Sequence, residues 1–185
     1  MNMLVPLRRV AMAALLLAAP LSMAWSLSPK VQTKVPTQAP SATPPSAPSC
    51  RFTAQTDAQG QVVLHFRLRN DGSRDLQLLR WGSPFEGGWF GRFVRVHAGP
   101  GELPFQGAMR KRGEPSARDY LLLPAGQQLE STLTLNEAFV LPAAGPLKIG
   151  AAWRWHDVMT SGTPPRPRSA HQGLDQDCGE VTLAP

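Results

Sequence analysis

Four histidines, two cysteines and a set of tryptophans are the residues of this 185-residue chain whose types carry distinctive chemistry. Their spacing decides what they can do. His65, His97, His156 and His171 are far apart, and none belongs to His-Glu-x-x-His, the spacing that sets two imidazoles on one helical face around a carboxylate base. His156 is the one histidine beside a carboxylate, Asp157. With no Gly-x-Ser-x-Gly nucleophile motif, that pair reads as solvent-facing at a strand end. GGWFG (Gly87 to Gly91) has no Lys-Ser/Thr ending and opens no helix, so it is no phosphate loop. Because no catalytic role can be given to a named residue, the expectation is a protein that is not an enzyme and holds no cofactor or metal.

Cys50 and Cys178 lie at the two ends of the region that reads as folded. In an exported chain such a pair is stable as a disulfide, and metal ligation, the competing reading, lacks nearby histidines to complete a site. Tryptophans stack on sugars or anchor interfaces when exposed. Trp153 and Trp155 continue an apolar face and are expected in the core, whereas Trp89, inside EGGWFG with Phe90, is expected to be exposed. Arg110, Lys111 and Arg112 form the densest positive run and suit an acidic partner, a solvated loop being the plainer reading. Trp89, Phe90, Arg110, Lys111 and Arg112 are therefore the candidate partner-binding residues. On this reading Trp89→Ala weakens binding and leaves the melting temperature nearly unchanged.

The elements that must position these residues read as strands. Hydrophobic residues make up 42% of the chain, charged residues only 17%, and there are 16 Gly and 19 Pro, which disfavours a coiled coil or helical bundle. In Val62 to Asn70, Leu64, Phe66 and Leu68 alternate with His65, Arg67 and Arg69, the period of a half-buried strand. Asn70-Asp71-Gly72-Ser73 carries hairpin residues and leads to Leu76 to Trp81, so these two strands are expected to pair. Arg92 to Val96, Glu102 to Gln106, Asp119 to Leu123, Gln128 to Leu135, Leu147 to Trp155 and Cys178 to Ala184 follow, separated by Gly and Pro. The pattern is all-β and predicts an immunoglobulin-like antiparallel β-sandwich of seven to nine strands, with a closed barrel as the alternative. Asp157 to Asp177, with TPPRPRS inside it, reads as a disordered loop.

Before the sandwich, Arg8 and Arg9 precede the apolar run Val10 to Ala19, then Pro20 and Ser22-Met23-Ala24. This is the order of a signal peptide, residues 1–24, with cleavage after Ala24 or, alternatively, Ser26. The run is about half the roughly twenty residues a membrane span needs, so no span is expected in the mature chain. Residues 25–49 form a Pro-rich linker that cannot bury apolar surface, and residues 50–185 form the domain. The expected location is periplasmic or secreted. The net charge of +6 does not mark a nucleic-acid binder: four of the 19 basic residues precede Cys50, leaving 15 against 13 acidic ones, dispersed along the domain.

One stretch carries a resemblance. LRNDGSRDLQLLRWGSPFEGG, with Arg80 to Gly87 at its end, is followed in order by Leu103 to Gly107, Arg110 to Pro115, Asp119-Tyr120, Leu123 to Gly126, and Leu133 to Phe139 running into Gly145. Together, over about residues 60 to 152, these segments resemble the N-terminal β-sandwich pro-domain of the deuterolysin-like (aspzincin, peptidyl-lysine) metalloendopeptidases. In that family a zinc catalytic domain follows, and no such domain follows here before Pro185. The resemblance thus implies the fold and a link to proteases without the activity. The functional expectation is an exported, non-catalytic module that binds a protein partner, a metalloprotease, as inhibitor or folding helper. The alternative is a cell-envelope or glycan-binding module that uses Trp89 and Trp81.

Overall fold

The computed structural model describes residues 47–184. The segments expected to be a signal peptide, residues 1–24, and most of the expected linker, residues 25–49, lie outside the described residues. Ten strands, every pair antiparallel, make the β-sandwich expected from the sequence, two of them only two residues long.

The first sheet joins β1 (Ser49–Thr56), β2 (Val62–Arg69) and β7 (Gln128–Thr134) in the order β1-β2-β7. The second joins β10 (Leu174–Leu183), β8 (Leu147–Trp155), β4 (Val94–Ala98) and the two-residue β5 (Gly101–Glu102) in that order. A third, small sheet places β3 (Leu76–Leu79) between β6 (Tyr120–Leu123) and β9 (Val158–Met159).

Alternation governs the two long central strands. In β2, Val62, Leu64, Phe66 and Leu68 are buried, and in β8, Leu147, Ile149, Ala151, Trp153 and Trp155 are. These faces meet in one core, where the Phe66 ring meets Phe93 and Trp153 edge-on at 6.2 and 6.4 Å. Such offset or edge-on contacts are the favoured aromatic geometries.

The hairpin expected from Asn70 to Ser73 is not formed. β2 pairs with β1 and β7, while β3 pairs with β6 and β9, so the turn carries the chain from one sheet to another. The reason lies in the Asn70 side chain, which is buried. Its Nδ2 donates to the carbonyls of Arg74 (2.7 Å) and Leu123 (3.0 Å), and its Oδ1 accepts from the Gly72 amide (3.0 Å). An amide with three partners inside the protein makes a crossing, not a solvent-facing tip. The expected strand from Glu102 to Gln106 also shortens to Gly101–Glu102, since Pro104 has no amide to give a ladder.

The two ends of the domain are tied together. Cys50 and Cys178 form a disulfide with a Cα–Cα distance of 4.6 Å, closing a separation of 128 residues. It sits at a bulge in β10, where the register with β8 shifts between Asp177 and Glu180 and Gly179 takes φ 82°, a left-handed conformation that favours glycine. Beside it, Gln176 accepts from the Trp155 indole (3.1 Å) and donates to the Pro48 carbonyl (3.1 Å).

Replacing both Cys50 and Cys178 by alanine is expected to lower unfolding stability by about 2–5 kcal/mol, the usual range for a long closed loop. Equilibrium denaturation of the oxidised protein against the double variant measures it, and two free thiols in exported material would remove the bridge altogether.

Candidate functional site

The segment from Arg80 to Gly91 leaves β3 and folds back on itself. Ser83 caps a single 3₁₀ turn, Pro84–Glu86: its Oγ accepts from the Phe85 amide (3.3 Å) and donates to the Arg80 carbonyl (2.6 Å). A β-carbon on Gly91 would stand 2.8 Å from Gly82 Cα, so the two arms of the loop approach closely only because position 91 has no side chain.

Trp89 is not exposed. It retains 5% of its surface, stacks on Phe93 at 4.9 Å, and donates its indole N–H to the Thr134 carbonyl (2.9 Å). Phe139 and Phe105 close round it at 6.0 and 6.4 Å. The expectation of an exposed Trp89 anchor is thereby corrected, because irregular backbone turns the ring inward where its one polar atom still finds a partner. Phe90, half-buried, carries the Arg110 guanidinium 3.8 Å above its ring.

The basic run is likewise not a free positive patch. Glu86, 4% exposed at its side chain, lies 2.5 Å from Arg112 Nη2 and 3.7 Å from Arg110 Nη1. The contact with Arg112 is an ion pair without an aligned hydrogen bond. Glu86 also accepts from the Gly82 amide (2.8 Å). Two of the three cations thus neutralise a buried carboxylate, and Lys111 alone of the three has no ion pair among the described residues.

Beside this loop lies an open cleft of about 270 Å³ lined by Leu79, Trp81, Arg112, His156, Arg168 and His171. Four separate stretches of chain supply it: Leu79 and Trp81, Arg112, His156, and Arg168 with His171. Trp81 is fixed by its indole N–H, which donates to Asp119 (3.1 Å), and the Arg112 guanidinium stands 5.3 Å above its ring. Arg168 pairs with Glu114 (3.0 Å) and also bonds the Gly113 carbonyl.

Behind the cleft, Asp157 corrects two expectations at once. Its side chain has 0% exposure, so His156-Asp157 is not a solvent-facing pair. It also organises the segment read as disordered: its two oxygens both accept from Arg166 Nε at 3.0 Å, Oδ1 also accepts from the Gln172 backbone amide at 2.8 Å, and Oδ2 from the Tyr120 hydroxyl at 2.9 Å. Arg166 Nη2 reaches Asp157 as well and donates to the Val158 carbonyl (3.0 Å). Burial works to raise the Asp157 pKa, but the hydrogen bonds from Arg166, Gln172 and Tyr120 and the Arg166 charge outweigh it, holding the carboxyl below the usual range. Tyr120 is pushed above the usual tyrosine range, first by burial, then by its bond to Asp157.

The cleft histidines differ. His171 Nε2 lies 3.1 Å from the Arg166 carbonyl, an acceptor, so that nitrogen carries the proton. His156 makes no side-chain hydrogen bond among the described residues, and its pKa is lowered by desolvation and by the positive charges of Arg154, His171 and Arg112. Among the described residues no three His, Cys, Asp or Glu side chains converge as metal ligands. Of the five candidate partner-binding residues, Arg112 alone lines the cleft, joined there by Trp81, His156 and His171, which the sequence also singled out; Glu86, Tyr120 and Arg166 carried no signal, and Asp157 was noted only as the neighbour of His156.

No protein-family model matches this chain. Over 99 residues it is 29% identical to an extracellular protease of Aeromonas hydrophila, a match that covers 54% of this chain and 28% of that protein's length. The chain therefore corresponds to less than a third of the protease it resembles.

Two outcomes follow from the burial. Trp89→Ala removes a stacked core ring and is expected to cost about 3–5 kcal/mol, read as a large drop in melting temperature. Asp157→Asn breaks a buried pair and is expected to cost about 3–5 kcal/mol at neutral pH. Because the folded Asp157 pKa lies below its unfolded value, its contribution is full above the ordinary carboxylate pKa and fades as pH falls through the depressed one. Stability of the native protein should therefore decline on acidification below about pH 5, and the Asp157→Asn variant should show a flatter profile over that window.

Proposed function

We propose that this chain is an exported, non-catalytic β-sandwich module that binds another protein, a secreted metalloprotease, and acts on it as an inhibitor or folding helper. The observation that carries this reading is the similarity to part of an extracellular protease. The deuterolysin-like pro-domain resemblance gives the same link a finer form, a module that keeps a catalytic domain inactive or assists its folding. The Cys50–Cys178 disulfide suits the oxidising surroundings of an exported protein.

The burial of Trp89 moves the proposed contact surface. A ring stacked within the core offers nothing to a partner, so the surface that remains is the face of Trp81, Phe90, Arg110, Lys111 and Arg112 beside the cleft. The same burial removes one of the two tryptophans on which glycan binding would rest.

Capture from the exported fraction on the immobilised mature chain is expected to retain a metalloprotease. Adding the chain to that enzyme should lower its proteolysis stoichiometrically or raise its refolding yield. Retention of the chain on peptidoglycan or polysaccharide, with no protease captured, would overturn the reading in favour of the envelope.

A further inference from the structure

The cleft beside Trp81 has a composition that the protein's internal pairing does not use up. Its lining holds two guanidiniums and two imidazoles, one indole and one leucine, and no carboxylate. Of the acids nearby, Glu86 is one carboxylate shared by two cations, Arg112 and Arg110, and the Arg168–Glu114 pair is exposed on both sides, while Asp157 is held by Arg166, Asp119 by Trp81 and Ser116, and Asp175 by Arg154, so a net positive charge is left at the cleft. Charge complementarity therefore calls for an anion from outside.

We propose that this cleft binds a carboxylate presented by an acidic side chain of a polypeptide partner. The carboxylate chemistry stands on the cleft alone; its source in a polypeptide rests on the protein-binding reading above.

Three observations support it. Among the described residues, His171 Nδ1 makes no hydrogen bond while its Nε2 donates to the Arg166 carbonyl, so the ring is oriented, and Nδ1 donates to a carboxylate when the ring takes up its second proton. His156 is likewise without a side-chain hydrogen-bond partner among them, and it faces the charges of Arg154, His171 and Arg112, a positive field that a bound anion would offset. Leu79 and the half-buried Trp81 give the cleft an apolar wall, which matches the short methylene stem of glutamate or aspartate better than a bare inorganic anion. Rotation of Trp81 is already restrained by its bond to Asp119, and Arg112 by Glu86, so little ordering remains to be done on binding.

The test uses the whole mature chain and NMR of its indole and imidazole signals. Acetyl-Ala-Glu-Ala-amide is expected to shift Trp81, His156 and His171 saturably and to raise the His156 pKa, while acetyl-Ala-Gln-Ala-amide leaves them unmoved. Arg168→Ala, at a side chain half exposed and remote from the core, should weaken the glutamyl peptide at least tenfold with an unchanged melting temperature. Equal effects of the two peptides, or none, would overturn the carboxylate assignment. Tighter binding of galacturonate than of the glutamyl peptide would overturn the polypeptide source and give the cleft to an acidic glycan. Protease capture by the Arg168→Ala variant at full strength would sink the cleft's role while leaving the protein-binding reading intact; loss of capture by the native chain would sink that reading while leaving the carboxylate result standing.

Discussion

A carboxylate with no exposed surface must be surrounded by donors or it will take up a proton, and Asp157 meets that condition with donors from three residues. Arg166 and Gln172 come from the segment after it and Tyr120 from β6, in a different part of the sequence. The consequence is larger than one ion pair. Removing a buried charge from water costs several kcal/mol, and only a fixed set of donors offsets that. The segment from Val158 to Gln172 is therefore held to one path, and β9 pairs with β3 at its start. The walls of the cleft that Arg168 and His171 supply exist because Asp157 needs Arg166 two and five residues away from them.

Glu86 plays a matching part on the other side. It is buried, it accepts the Gly82 amide, and it draws Arg112 and Arg110 onto the loop that follows β3. Arg110 then lies over Phe90 and Arg112 over Trp81. Cation–π contacts of this sort contribute only about 0.5–1 kcal/mol when exposed, so the acid, not the rings, sets the position of the arginines. Two buried acids thus bring distant pieces of chain together, and the cleft lies where their cationic partners and neighbours meet.

The long strands were legible because burial on one face leaves a period of two in the sequence, as Leu64-Phe66-Leu68 and Leu147 to Trp155 both show. The cysteine pair was legible for a different reason, the stability of a disulfide under oxidising conditions. What failed depended on contacts between residues distant in sequence. Asn70 looks like a hairpin residue until its side chain is seen to reach the Leu123 carbonyl, 53 positions away. Trp89 looks exposed among glycines because nothing local says that Thr134 will accept its N–H. Arg110-Lys111-Arg112 reads as a surface patch because the acid that neutralises it stands 24 to 26 positions earlier. Composition marked Asp157 to Asp177 as unstructured, and one buried carboxylate overrides composition.

This distinction bears on what the fold leaves open to selection. The sandwich core and the disulfide hold the first and last strands without reference to the cleft, since neither Cys50, Cys178 nor Gln176 touches its lining. The cleft side chains Arg168 and His156, by contrast, are exposed and carry no core packing. Substitution there changes charge and hydrogen bonding at the surface while the buried acids behind keep the backbone in place. A binding surface of that construction can alter the anion it favours without a stability penalty near the few kcal/mol that a core change exacts. The positions behind it cannot: a change at Asp157 or Glu86 takes the partner from a largely buried guanidinium, Arg166 or Arg112, and the geometry in front of it goes as well.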